Sequence, residues 1–280
     1  MSLLKLPEIN FQRPSTQLQF GIAPKVMTQW NASIQAATDS GEASISILDV
    51  IGQDYWTGEG VTSNRIAGAL RAIGPNPVTV NINSPGGDMF EGVAIYNMLR
   101  EHAGHVTVKV LGMAASAASI IAMAGDTIQI GLPAFFMVHN GWIVAAGNRN
   151  DFRELADWME PFDTAMADVY SARTGIAAAD VRAMMDKETW VGGSAAVDKG
   201  FADDLLDSEQ IKKGEKTQAA AVRRLESALR SSGMSRADAM SLISQFKSGP
   251  SDSVGTSGLS DSAANEIAAM LRNLYQPPKG

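Results

Sequence analysis

Cysteine is absent from this 280-residue chain, which excludes a disulfide framework, a thiolate metal site and thiol catalysis. The chain has 23 Lys and Arg against 30 Asp and Glu, with no basic stripe, so we expect no nucleic-acid partner. The longest weakly polar run, residues 111–125, is too short and too rich in alanine and glycine to span a bilayer, and the N-terminus lacks a signal-peptide core. We therefore expect a cytoplasmic protein without membrane contact, and we assign it no metal and no cofactor.

Alternating strand and helix patterns account for most of what is present. Residues with an apolar side chain make up 45% of the chain, which is enough for a large core. Strand patterns lie at 43–51, 78–83, 106–111, 127–130 and 135–139, and helix patterns at 62–71, 89–101, 149–173 and 179–186. This alternation predicts an α/β core with a parallel sheet and right-handed crossovers.

Composition changes near both ends of this core. Pro7, Pro14 and Pro24 interrupt any pattern over residues 1–40, so we expect an irregular N-terminal segment. We place the core domain at 41–207. Residues 208–280 are predicted to form a small extension, with helices over 218–229, 236–247 and 263–274 and a flexible linker over 248–258.

Ser116 lies among small residues directly after the predicted strand at 106–111. The Ala-rich run around it is typical of the start of a buried helix. A serine at a helix N-terminus is close to free backbone N–H groups and the positive end of the helix dipole, which favour developing negative charge. Ser116 is therefore either a nucleophile with an oxyanion site or part of a small-residue helix packed on the sheet.

His139 is one of three histidines, and it ends the apolar strand at 135–138. The end of a strand in an α/β fold commonly carries a functional group, so His139 is a candidate general base; the alternative is a half-buried structural histidine. Asp186 and Glu188 are candidates for orienting its ring, and either carboxylate could equally be an ordinary surface group.

Gly86 and Gly87 lie in the Ser84-Pro85-Gly86-Gly87-Asp88 turn between a predicted strand and helix. Two glycines allow positive φ and close approach of a second chain, and their N–H groups can form an anion-binding concavity. A plain strand-to-helix turn is the alternative. A phosphate loop is not expected, because no Gly-Lys-Ser/Thr follows.

Together, four segments resemble the successive signatures of ClpP-type serine peptidases. They are Asn83–Gly87, Gly112–Ser116, Met137–Asn140 and Gly193–Asp203, and the resemblance covers about residues 40–207. It implies the ClpP/crotonase fold, with stacked βαβ units and a protruding handle helix, here residues 149–173. It also implies a homo-oligomer built from single or stacked rings that acts on protein or peptide substrates.

The resemblance assigns roles to individual residues. The nucleophile falls on Ser116, the base on His139, and the two oxyanion N–H groups on Gly87 and Ala117. The third member of the family's triad is an aspartate two residues before an aromatic, and that position holds Glu188 here, ahead of Trp190. Because glutamate is one methylene longer, Asp186 is the alternative third member.

The core with its Ser- and Ala-rich extension is similar to the prohead proteases of tailed phages, which implies a serine endopeptidase of capsid maturation. Capsid or scaffold proteins would then be the substrates, in the host cytoplasm or the prohead. Two other functions are considered. One is a catalytically weak or inactive assembly protein that keeps the scaffold, and the other is a crotonase-like acyl-CoA enzyme, which needs no Ser–His pair.

Overall fold

A computed structural model describes residues 6–9, 21–32, 34–36, 43–53, 60–206, 211–213, 225, 229 and 241–244. The chain forms two compact units, the first from residues 1–22 and 34–213 and the second from residues 23–33 and 214–280. Among the described residues of the second unit, Val26, Met27, Trp30 and Leu225 have buried side chains.

Strands and helices alternate strictly over residues 60–131, and the rest of the described chain includes consecutive strands and consecutive helices. The strands are β1 (Ile34–Ala36), β2 (Ser44–Ile47), β3 (Gly52–Gln53), β4 (Gly60–Val61), β5 (Val78–Ser84), β6 (Val106–Ala115), β7 (Thr127–Gly131), β8 (Phe135–Val138), β9 (Thr189–Gly192), β10 (Asp204–Leu206) and β11 (Ile211–Lys213). The helices are α1 (Pro24–Gln29), α2 (Ser63–Ile73), α3 (Met89–Glu101), α4 (Ala117–Ala122), α5 (Arg149–Thr174), α6 (Ala178–Asp186) and α7 (Gly193–Asp198).

The central sheet of the first unit has the strand order β10-β7-β6-β5-β2, and all four pairings are parallel. The last residues of β6 pair in parallel with β8 instead of β7, and β9 runs antiparallel to β8. The paired residues Val80 and Val108 are fully buried, as expected for strands covered on both faces. The mostly parallel α/β fold predicted from the element order is confirmed.

Local sequence signals define the helices that flank the sheet. The Thr62 hydroxyl accepts from the N–H of Arg65 at the start of α2, and the Asp88 carboxylate accepts from the N–H groups of Phe90 and Glu91 at the start of α3. Each cap satisfies backbone donors that have no partner within the helix. The predicted bounds of α3 agree with the structure.

Helix α5 begins at a capping box between Asn148 and Asp151 and ends at Thr174, where Gly175 caps it with left-handed φ. Its first half is exposed or half-buried, with Phe152 49% exposed. From Phe162 onward its apolar face is buried, including Met166 and Tyr170. The long helix predicted at 149–173 is therefore confirmed, and it packs on the core from Trp158 onward.

Two sequence-based expectations are corrected. Strand β6 continues to Ala115 instead of ending at Leu111, because Met113, Ala114 and Ala115 pair with β8. Pro24 begins helix α1 rather than interrupting it, since the first helical position needs no N–H donor and the φ of proline suits a helix.

The C-terminal helices and linker expected over 218–280 lie mostly outside the described residues. The residues that are described in this range, 225, 229 and 241–244, are helical. Over the residues that are described, no helix combines the length and the apolar character needed to cross a membrane.

Candidate active site

Three strands of the sheet end at one edge, and each is followed by a residue singled out from the sequence. Gly86 and Gly87 follow β5, Ser116 follows β6, and His139 follows β8. Because β6 pairs in parallel with both β5 and β8, the carboxyl ends of all three strands meet at the same edge of the sheet. The structure therefore brings these residues together.

Ser116 has an uncommon backbone conformation, with φ +55° and ψ −129°. A non-glycine residue in such a region costs about 1–3 kcal/mol, so the surroundings must hold it there. Its N–H donates to the Met137 carbonyl at 3.0 Å, and its carbonyl accepts from the N–H of Ser119 at 2.9 Å. The sharp turn between β6 and α4 leaves the Ser116 side chain at the edge of the sheet.

The side chains of Ser116 and His139 are in direct contact. The distance between Ser116 Oγ and His139 Nε2 is 2.7 Å, which is within hydrogen-bond range. His139 is 6% exposed. Burial lowers the pKa of His139 below its ordinary value of 6.5, and the charge of Glu188 opposes that effect. A neutral imidazole at this distance can accept the proton of the Ser116 hydroxyl.

The pairing of β8 with β9 places Glu188 beside His139. Val138 and Thr189 are partners in this antiparallel ladder, so the residues just beyond them, His139 and Glu188, lie opposite each other. Glu188 has φ +49° and donates its N–H to the Met185 carbonyl at 3.0 Å.

Asp186, the alternative acid, is engaged elsewhere. Its carboxylate accepts from the side-chain amide of Asn140 at 2.8 Å. Next to it, the Asp163 carboxylate accepts from the N–H of Gly141 at 2.7 Å, and burial raises the pKa of Asp163. These two contacts anchor the loop that follows His139.

Gly87 forms a parallel bridge with Ile51, in which the Ile51 N–H donates to the Gly86 carbonyl and the Ile51 carbonyl accepts from the Asp88 N–H. In such a bridge the bonds to Ile51 use the neighbours of Gly87, so the N–H of Gly87 itself points to the opposite side. Gly87 has φ +149°, and a Cβ there would lie 2.1 Å from the Ile51 carbonyl oxygen. Only glycine fits this position.

Ala117 is the first residue of α4, and its N–H has no acceptor one turn earlier in the helix. Ala117 and Gly87 line one cleft together with Ser116 and His139. The rest of its lining consists of Gly21, Met89, Asn140, Gly141, Trp142, Met166 and Tyr170. The cleft thus combines a hydroxyl, a neutral imidazole and two backbone donors, an arrangement suited to acyl transfer.

Sequence reasoning missed two features of this cleft. Gly21 belongs to the N-terminal segment, is buried, and donates its N–H to the Trp142 carbonyl at 3.1 Å. Tyr170 of α5 reaches the hydroxyl of Ser119. Ser119 could have been noted from its spacing of three residues from Ser116. No sequence signal connects Gly21 or Tyr170 with the site, because both contacts depend on tertiary packing.

Comparison with known proteins gives one family model and several similar proteins. The family model for Clp protease matches residues 63–209. The chain is 27% identical over 188 residues to the ATP-dependent Clp protease proteolytic subunit of Deinococcus radiodurans, covering 63% of this chain and 92% of that protein. It is 29% identical over 150 residues to the ATP-dependent Clp protease proteolytic subunit 2 of Thermobifida fusca, covering 51% of this chain and 74% of that protein.

A solved structure is similar in fold. It is a point mutant of ClpP1 from Listeria monocytogenes, with a TM-score of 0.50, 20% sequence identity, and coverage of 59% of this chain and 92% of that chain.

Proposed function

Since the chain belongs to the Clp protease family, we propose that it is a serine endopeptidase in which Ser116 is the nucleophile and His139 the general base. The observation that carries the proposal is the 2.7 Å contact between Ser116 Oγ and His139 Nε2, in a cleft that is also lined by Gly87 and Ala117. A serine hydroxyl is a weak nucleophile until an adjacent base removes its proton, and this contact supplies the base.

The proposed reaction proceeds through an acyl-enzyme. His139 Nε2 takes the proton of the Ser116 hydroxyl as Oγ attacks the carbonyl carbon of the scissile peptide bond. The N–H groups of Gly87 and Ala117 stabilise the oxyanion, and one such donor is typically worth about 3 kcal/mol. His139 then protonates the leaving amine, and water releases the acyl group by the same steps in reverse order.

Glu188 is proposed as the acid that stabilises protonated His139. Its charge raises the pKa of His139 against the effect of burial, as a triad acid should, whereas the Asp186 carboxylate binds Asn140. The positive φ of Glu188 moves its backbone relative to that of an ordinary strand residue, which can compensate for the longer side chain. Loss of the third member leaves residual catalysis in triad enzymes, so the proposal for Ser116 and His139 does not depend on it.

Substrate and assembly are proposed from the family resemblance. An extended peptide would bind beside the segment after Gly87 by backbone pairing. The exposed first half of α5, including Phe152, supports a handle that interlocks subunits into rings. Capsid or scaffold proteins of a phage are the proposed substrates, processed in the host cytoplasm or the prohead.

A serine-reactive fluorophosphonate probe tests the catalytic proposal. We expect the wild-type chain to be labelled, Ser116→Ala to abolish labelling, and His139→Ala to reduce it strongly. Ser171→Ala is the matched control, because the Ser171 hydroxyl donates to the Ile176 carbonyl, away from the cleft.

Absence of labelling in every oligomeric state, with native mass spectrometry confirming assembly, would contradict the proposal and favour an inactive assembly protein. Turnover of acyl-CoA without labelling of Ser116 would favour the crotonase-like alternative. For the phage role, cleavage of purified capsid or scaffold protein by wild type and not by Ser116→Ala is the expected result.

A further inference from the structure

Two buried hydroxyl groups form a directed chain that ends on the carbonyl of Ser116. The Ser119 hydroxyl donates to the Ser116 carbonyl oxygen at 2.6 Å, and the hydroxyl oxygens of Ser119 and Tyr170 are 2.6 Å apart. Since the one hydroxyl proton of Ser119 is used towards Ser116, Tyr170 must be the donor to Ser119. The direction of the chain is therefore Tyr170 to Ser119 to Ser116.

This chain of hydrogen bonds is shielded from water. Ser119 is 0% exposed and Tyr170 is 1% exposed. Burial raises the pKa of Tyr170 above its ordinary value, so its hydroxyl keeps its proton at working pH. Without solvent as a competing partner, both hydroxyl groups depend on each other, and removing either leaves a buried polar group incompletely satisfied.

The Ser116 carbonyl, where these hydrogen bonds end, belongs to the same peptide unit as the Ala117 N–H, a proposed oxyanion donor. The carbonyl of Ser116 and the N–H of Ala117 lie in one plane and point in opposite directions, because the peptide bond is trans and planar. Any group that fixes the Ser116 carbonyl therefore fixes the direction of the Ala117 N–H. Ser116 is also strained, with φ +55°, so the side-chain bond adds support to the backbone bonds that its carbonyl accepts from the N–H groups of Ser119 and Ile120.

We propose that Tyr170 and Ser119 are positioning residues that aim the Ala117 N–H at the oxyanion and hold the strained backbone of Ser116. The inference rests on the proposed function. Neither side chain takes part in proton transfer. Since Tyr170 lies on α5, the long helix contributes to the site through this hydroxyl in addition to its packing on the core.

Peptide hydrolysis by Tyr170→Phe and Ser119→Ala tests the inference. Outright loss of an oxyanion donor lowers kcat by about 10²–10³, and a donor with a less favourable orientation lowers it by less. We therefore expect Tyr170→Phe to lower kcat roughly tenfold with little change in KM. Ser119→Ala, which removes the side-chain bond to the Ser116 carbonyl and keeps the backbone bond from the Ser119 N–H, lowers kcat further. The double variant is no worse than Ser119→Ala because the residues act in series. The rate of fluorophosphonate labelling should fall in parallel with kcat.

Tyr96→Phe is the matched control. Tyr96 is 0% exposed, and its hydroxyl donates to the Pro7 carbonyl at 2.8 Å, outside the cleft. Both variants lose one buried tyrosine hydroxyl, so their thermal stability should fall by similar amounts, while only Tyr170→Phe loses kcat.

The outcomes separate this inference from the proposed function. Wild-type labelling together with an unchanged kcat in Tyr170→Phe would overturn the positioning role alone. An equal loss of kcat in Tyr96→Phe and Tyr170→Phe would also overturn it, since the effect would then be purely structural. No labelling or hydrolysis by the wild type would overturn the proposed function and this inference together.

Discussion

Substitution of Gly86 by alanine should lower the rate at which Ser116 is labelled, and this loss should be larger than the loss of folded protein explains. Gly86 has φ +86°, and a Cβ there would lie 2.6 Å from both the Ala115 carbonyl oxygen and Ser116 Cβ, and 3.0 Å from Ala117 N. Two of these three atoms belong to the backbone of the β6–α4 turn. The added methyl group can therefore fit only if Ser116 and Ala117 move.

The expected magnitudes follow from these contacts. Positive φ costs an alanine about 1–2 kcal/mol relative to glycine, and forcing a methyl group into a packed site costs about 1–3 kcal/mol more. We therefore expect Gly86→Ala to lower the free energy of unfolding by about 2–5 kcal/mol. A displacement of Ser116 near 1 Å would reduce the labelling rate by about 10²-fold.

Gly175→Ala separates backbone strain from the collision. Gly175 has φ +75°, and no heavy atom lies within 4 Å of the Cβ that alanine would add. This variant should lose about 1–2 kcal/mol of stability and keep its labelling rate. Fluorophosphonate labelling is measured with denaturant unfolding, and the rate is corrected for the folded fraction. Labelling of folded Gly86→Ala within about threefold of Gly175→Ala would refute the close-approach argument, which expects about 10²-fold.

Three further predictions concern the base, the cleft and the core. The labelling rate should rise with pH through a midpoint below 6.5, because burial lowers the pKa of His139 and only the neutral ring is a base. Since the charge of Glu188 raises that pKa, Glu188→Gln should move the midpoint lower still and reduce the maximum rate. An unchanged pH profile would argue against a role for Glu188. Gly21 lines the cleft beside Ser116 and His139, where it would compete with a bound peptide. Gly21→Pro removes its N–H bond to the Trp142 carbonyl, so KM for added peptides should fall, and a constant KM would contradict this competition. Arg173→Met should cost about 1–3 kcal/mol in thermal unfolding without changing the labelling rate, because the 2%-exposed Arg173 side chain donates to the Gly125 carbonyl and to Asp203.

Much of the fold could be predicted from local patterns. The parallel core follows from alternating strand and helix periodicity, and α3 spans residues 89–101 as expected. The end of β6 could not be placed, because Met113, Ala114 and Ala115 are residue types that favour a helix, and pairing with β8 keeps them extended. Pro24 is compatible in the sequence with either an interruption or a helix start, because its effect depends on whether a helix follows it.

For the site, sequence determined the types of group and their order along the chain: two glycines after β5, a serine after β6 and a histidine after β8. Tertiary structure decided their distances, since the 2.7 Å contact between Ser116 and His139 requires β6 and β8 to be neighbours. The register of β8 and β9 also places Glu188 opposite His139, whereas Asp186 binds Asn140. The role inferred for Tyr170 depends on the packing of α5 on α4, a contact between residues 51 positions apart in the sequence. Periodicity reports which face of an element is buried, but not which partner covers it, so contacts of this kind arise only once the chain has folded.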